Sequence, residues 1–179
     1  IAPGAKEAAR NTTSNKVAVI GTRTTVKSMA YDRSIKRLSP GIEVFSRACP
    51  LFVPIVEEGL EHDEIARLTA EKYLGDLRGS GIDVIVMGCT HYPVLEDVIR
   101  QTMGNRIKIV HSGKETAKEA WTILNERNLL NRRGRGKREY FVTDTPESFH
   151  EIGGRILGEA LTHVKSLKSL DYQDLLFSS

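Results

Sequence analysis

The chain has 179 residues, with 26 Lys and Arg against 23 Asp and Glu, 40% hydrophobic residues and two cysteines. That length supports one ample domain or two small ones, and the ordinary apolar and charged shares exclude a disordered, collagenous or coiled-coil chain. The longest apolar runs are about six residues, far below the roughly 20 of a membrane-spanning helix, and two cysteines cannot staple a chain this long, which points to a reducing compartment.

Lys16–Ile20, an apolar run closed by Gly21, reads as a buried strand. From Thr22 the spacing of Val26, Met29, Ala30 and Leu38 predicts one helix, stopped at Ser39-Pro40-Gly41. Ile42–Ala48 is a second β-rich run, and the apolar run Leu51–Val56 leads directly into Glu57-Glu58. Asp63 can cap a helix in which Ala66, Ala70, Tyr73 and Leu77 recur on one face. Ile82–Met87 is the clearest strand, rich in β-branched residues with a glycine at each end.

Pro93 then opens a helix carrying Leu95, Val98, Ile99 and Met103, proline being tolerated in a first helical turn. Arg106–Val110 reads as a further strand. Ser112 and Glu115 have the spacing of a capping box for a helix through Ala117, Ala120, Trp121 and Leu124. Glu139–Thr143 is the last predicted strand, and Thr145-Pro146 starts a helix through Phe149, Ile152, Ile156, Leu157 and Leu161. From about Lys168 no pattern emerges. Strands alternating with helices at this spacing predict an α/β fold, a mainly parallel sheet flanked by helices. Ligands of such folds bind beyond the carboxyl ends of the strands, so the loops after the strands are the ones to inspect.

Two of those loops carry chemistry. Gly21-Thr22-Arg23-Thr24-Thr25 is not a phosphate-binding Walker loop, lacking a second glycine and the Gly-Lys-Ser/Thr end. It offers hydroxyls and backbone N–H groups at a helix start, suited either to a carboxylate or simply to capping the helix. Gly88-Cys89-Thr90-His91-Tyr92-Pro93 sets Cys89 at the mouth of the sheet near a helix N-terminus, where thiolates are favoured. His91, two residues on, brings an imidazole that can serve as acid or base. The plain alternative is a buried apolar cysteine beside a turn histidine; the position and company of Cys89 favour a functional thiol.

Cys49, followed by Pro50, reads as structural, and no second Cys or His stands at metal-finger spacing, so no metal is expected. The segment Arg132–Arg138 holds five basic residues and no acidic one, leaving 21 basic against 23 acidic residues elsewhere. It reads as a solvated linker, or as a phosphate contact of the kind nucleic-acid binders use; with no aromatic interleaved, base stacking has no support.

Together, Lys16–Thr25 (KVAVIGTRTT), Ser28–Tyr31, Ala48–Gly59 (ACPLFVPIVEEG), Gly81–Pro93 (GIDVIVMGCTHYP) and Ser112–Ala117 (SGKETA) closely resemble the glutamate racemases, within the wider aspartate/glutamate racemase group. The resemblance runs from Ala2 to about Val164. It implies a cofactor-independent enzyme that interconverts L- and D-glutamate, supplying D-glutamate for bacterial peptidoglycan. A single base cannot reach both faces of Cα, and the family places a cysteine on each side, each alternating between base and acid. By resemblance Cys89 is the second of these thiols, assisted by His91, with Glu58 as the nearby acidic residue. Thr22, Thr25 and Thr90 match positions that hold the amino acid's carboxylate and amine. The implied setting is the cytoplasm, with glutamate as the small-molecule partner, a homo-oligomer at full length, and neither membrane nor nucleic acid as a partner.

The family's first catalytic cysteine lies in a Cys-Asn-Thr motif, and its Asp-Ser-Gly and Pro-Tyr-Gly loops also lie ahead of the matched region; these 179 residues contain none of them. Ile1, with no signal-peptide pattern after it, is therefore expected to be a cut inside a longer protein. Residues 1–112 are expected to form the family's second α/β domain, and residues 113–179 a C-terminal segment returning to a first domain that is largely absent. The chain alone is then expected to be inactive. His111 stands where the family commonly has aspartate. Two alternatives are an aspartate or related amino-acid racemase, and a non-catalytic binding module using the basic loop 132–138.

Overall fold

The computed structural model describes residues 1–131, 136–143 and 145–167. The basic residues Arg132, Arg133 and Arg135 and the chain from Lys168 onward lie outside the described residues. The chain divides into two compact units, Ile1–Leu130 and Asn131–Ser179.

The first unit is built on a four-stranded sheet of β1 (Lys16–Gly21), β2 (Glu43–Ala48), β3 (Val84–Met87) and β4 (Lys108–His111) in the order β2-β1-β3-β4. Every pairing is parallel, as the strand–helix alternation predicts. Successive side chains on a strand face opposite ways, and both faces of the central strands are covered. Val17, Val19, Val84 and Val86 pack in one core layer with Ala5, Ala8, Tyr31 and Ile35, from α1 (Ala2–Asn11) and α3 (Ala30–Leu38). Ala18, Ile20, Ile85 and Met87 face the other layer. There they meet α4 (Phe52–Glu57), α5 (Glu64–Leu74) and α6 (Glu96–Met103). The chain thus leaves β1 on one face and reaches β3 from the other, which opens a crevice at the carboxyl ends of β1 and β3.

Several elements differ from the sequence expectation. The helix expected from Thr22 to Leu38 is two: α2 (Arg23–Lys27) and α3, separated where Met29 takes a left-handed conformation with φ 52°. The apolar run Leu51–Val56 goes into helix α4, with Leu51 as its N-cap. Pro93 opens a short 3₁₀ turn, Tyr92–Leu95, and the α-helix proper starts only at Glu96. Helix α1 carries no large apolar residue and escapes pattern reading, because it packs closely through Gly4, Ala5 and Ala8.

The capping box is also corrected. Helix α7 (Ser112–Glu126) has His111 as its N-cap, with no side-chain cap. Ser112 Oγ instead accepts a hydrogen bond from Tyr31, and Glu115 pairs with Lys118. The expected caps at Asp63 and Thr22 do form: Asp63 accepts from the Ile65 N–H at 2.9 Å, and Thr22 Oγ1 from the Thr25 N–H at 3.3 Å.

In the second unit β5 (Tyr140–Val142) pairs in parallel with β6 (Val164–Ser166), a strand with no sequence signal, and α8 (Pro146–Leu157) lies between them in the chain. Leu161, expected as the last helical position, lies beyond the end of α8 but is buried, packed over Gly153. Lys137 and Arg138, from the basic loop, pair with Glu139 and Glu159.

Candidate active site

The two loops singled out in the sequence emerge side by side, because β1 and β3 are neighbours in the sheet. The Gly88 N–H donates to the Ile20 carbonyl at 2.8 Å, holding the start of the cysteine loop against the end of β1. No side chain fits there: a Cβ on Gly88 would lie 3.0 Å from Tyr31 Cε2, 3.1 Å from the Ile20 carbonyl oxygen and 3.3 Å from Thr25 Cγ2. A Cβ on Gly21 would lie 2.9 Å from the same Thr25 methyl. Thr25 therefore touches the base of both loops, and its hydroxyl lies 3.0 Å from that of Thr22.

Cys89 follows, half-buried, with its Sγ 3.9 Å from Nδ1 of His91. Thr90 is exposed, its hydroxyl 3.4 Å from the same nitrogen. The other ring nitrogen, Nε2, faces Oε1 of Glu57 at 3.2 Å. With Nε2–H donated to that carboxylate, Nδ1 is left as the acceptor turned toward the thiol, a tautomer assigned from the hydrogen-bond partners. The row Cys89, His91, Glu57 has the form of a thiol, an acid–base partner and an orienting carboxylate. Because a 3₁₀ turn intervenes, the acid–base partner nearest in sequence to Cys89 is the His91 imidazole rather than an α-helix terminus.

Glu58, expected beside the thiol, is the exposed C-cap of α4, and it is Glu57 that the helix turns toward His91. Adjacent residues on a helix point about 100° apart, so a Glu-Glu pair at a helix end does not reveal which faces the site. Thr22, Thr25, Cys89, Thr90 and His91 are brought to one end of the sheet. The sequence reading missed Glu57, Tyr31, Tyr92 and Ser112.

The far side of the cysteine loop is held by Tyr92. It is fully buried, packed edge-on against Phe52 with ring centroids 5.2 Å apart, and it donates to the Cys49 carbonyl at 2.7 Å. The Cys49 N–H in turn donates to the Gly21 carbonyl at 2.9 Å, so the ends of β1 and β2 and the cysteine loop form one linked edge. The Cys49 thiol is itself fully buried, and burial pushes it up to about 12, against a smaller opposing pull from Arg47. It is a packing residue with no usable thiolate. His111 ends β4 on this side of the sheet, its Nε2 2.7 Å from Oε2 of Glu96, whose other oxygen binds Arg100. An aspartate at 111 would face Glu96 with like charge. Among the described residues no helix is long and apolar enough to cross a membrane.

A family model for Asp/Glu/hydantoin racemases matches residues 1–120. Among curated proteins the chain is similar to the glutamate racemase of Geobacter metallireducens, 48% identical over 165 residues, which is 92% of this chain and 61% of that protein. It is 41% identical to the glutamate racemase of Neisseria meningitidis, again covering 92% of this chain and 61% of the relative. Among solved structures it resembles a glutamate racemase isoform of Bacillus anthracis, with a TM-score of 0.88, 34% identity and coverage of 94% of this chain and 63% of that one. The Francisella tularensis glutamate racemase in complex with D-glutamate matches with a TM-score of 0.84 and 31% identity, over 93% of this chain and 61% of that one. The chain thus spans about three-fifths of the length of these relatives. With this sheet, this cysteine loop and these matches, the chain belongs to the Asp/Glu/hydantoin racemase family.

Proposed function

We propose that this chain is the part of a glutamate racemase that supplies one of two proton-transferring thiols, Cys89, for interconversion of L- and D-glutamate. The observation that carries the reading is the row Cys89 Sγ, His91 Nδ1, His91 Nε2, Glu57 Oε1, with separations of 3.9 and 3.2 Å, at the carboxyl end of β3. In one direction Cys89, as thiolate, takes the Cα proton; in the other its S–H returns one to the same face. His91 holds the thiol's proton when the thiolate is needed, and Glu57 stabilises the imidazolium so formed. Thr22, Thr25 and Thr90 supply hydroxyls from the two loops at the thiol's end of the sheet, suited to the carboxylate and ammonium groups of an amino acid.

The opposite face of Cα needs a second base. Cys49, sealed in the core, cannot be that base. We infer that it comes from the first domain, in the portion of the relatives that this chain does not span, and that residues 113–179 belong beside that domain. On this reading the enzyme needs no cofactor, works in the cytoplasm as a homo-oligomer, and supplies D-glutamate to peptidoglycan synthesis.

Solvent deuterium exchange into glutamate, followed by proton NMR, tests the reading on the chain as it stands. The 179-residue chain is expected not to racemise either enantiomer. Steady racemisation by it would refute the need for a second thiol.

A further inference from the structure

Tyr31 lies outside the cysteine loop in sequence yet is built into its base. It is 5% exposed, in the core layer on the α1 and α3 face. Its ring forms the surface on which Gly88 rests, with Cε2 3.0 Å from where a Gly88 Cβ would be. Its hydroxyl donates to Ser112 Oγ at 2.7 Å. Ser112 is itself wedged: a Cβ on Gly4 of α1 would lie 2.6 Å from its Oγ. The ring is thus fixed at its far end by a hydroxyl pair at the start of α7, and at its edge it bears on the residue immediately before Cys89. On the opposite face Tyr92 anchors the other end of the same loop to the Cys49 carbonyl. Gly88–Tyr92 is held between two tyrosines, one beneath each end.

We propose that Tyr31 is a positioning residue for the Cys89 thiol, acting through the Tyr31–Ser112 hydrogen bond. It rests on the reading of Cys89 as a proton-transferring thiol and names what sets that thiol's place. A ring free at its hydroxyl end can tilt in its layer, and Gly88, in contact with ring, carbonyl and Thr25 methyl together, moves with it. The 3.9 Å approach of Cys89 Sγ to His91 Nδ1 is the contact such a shift loosens, because both residues follow Gly88 directly. Loss of that approach takes from Cys89 the imidazole nitrogen placed to receive its proton, which slows attack by the sulfur at neutral pH.

The test is site-resolved alkylation of Cys89 by iodoacetamide across about pH 6 to 10 in the full chain, read by mass spectrometry. Tyr31→Phe removes the hydroxyl and keeps the ring. It is expected to slow Cys89 alkylation at neutral pH by about two- to tenfold, the range one ordinary hydrogen bond commands, with rates converging on wild type at high pH. Ser112→Ala removes the same bond from its other end and is expected to give the same profile, the double variant being no slower than either single one. Ile35→Val loosens the same core layer without touching the hydroxyl pair and is expected to leave the profile in place. Superimposable profiles for folded Tyr31→Phe and wild type, or for Ser112→Ala and wild type if Tyr31→Phe does not fold, would overturn the proposal. Since alkylation is read without glutamate, failure here is separate from failure of the racemase reading.

Discussion

His91 Nε2 and Glu57 Oε1 lie 3.2 Å apart, joining the loop after β3 to the end of α4. The contact fixes which imidazole nitrogen is left for Cys89, and it singles out one of two adjacent glutamates.

Glu57→Gln is expected to slow proton transfer on the Cys89 side by about tenfold, less than the ~100-fold or more that a lost acid–base group itself costs. Glu58→Gln, at the exposed neighbour, is expected to change it less than about twofold. Deuterium exchange in the protein extended to the length of its relatives, measured for both variants, checks the pair. The reverse ranking would restore Glu58 as the carboxylate of the site.

Gly88→Ala places a methyl group against the Tyr31 ring, the Ile20 carbonyl oxygen and the Thr25 methyl at once. The carbonyl belongs to a sheet strand and cannot yield cheaply. We expect a stability loss of about 1–3 kcal/mol from overpacking, read by urea unfolding, together with altered alkylation of Cys89. A Gly88→Ala variant as stable as wild type would contradict the tight seat described for this loop.

The two thiols should behave oppositely. Cys49 is buried and its thiol stands at about 12, raised from an ordinary value of 9.0 by burial. Iodoacetamide at about pH 8 is expected to label Cys89 and leave Cys49 untouched in the folded chain, and Cys89→Ser to abolish the fast labelling. The raised value also has a pH consequence: the unfolded chain ionises Cys49 from about pH 9 upward while the folded chain does not. This contribution to stability is therefore complete below about pH 9 and fades as pH rises through about 12.

Asp83, at the amino end of β3, accepts hydrogen bonds from Thr12 Oγ1, Thr13 N, Thr13 Oγ1 and Ser14 N at 2.6 to 2.9 Å. Burial raises its carboxyl, but these bonds outweigh that and hold it well below the ordinary 3.8. Its contribution is thus present above about pH 3.8 and lost as the pH falls below it. Asp83→Asn is expected to cost about 1 kcal/mol at neutral pH, after allowance for solvent screening. The gap from wild type should narrow as unfolding is repeated toward about pH 3; a gap that widens in acid would contradict this assignment.

The sheet was legible because its strands are short apolar runs bounded by glycine or polar loops, and because both faces of β1 and β3 are buried. Helix α1 was not, since its buried side consists of Gly4, Ala5 and Ala8, which carry almost no hydrophobic signal. The break at Met29 was invisible because a left-handed methionine has no sequence signature. Cys89 and His91 stood out through rare residue types on a strand-end loop. The same reading named Glu58 as the acidic residue near the thiol, whereas the contact with His91 is made by its neighbour Glu57, a choice that helix rotation at the end of α4 decides. Tyr31 and Ser112 meet across 81 positions of sequence, and local patterns do not encode such a pair; Ser112 in particular looked like a cap.

The central claim is that Cys89 transfers the Cα proton on one face of glutamate. Deuterium incorporation from solvent into each enantiomer, compared for Cys89→Ser and wild type in the protein extended to the length of its relatives, tests it most directly. Exchange from one enantiomer should be lost and racemisation with it. Unchanged exchange from both enantiomers would contradict the account.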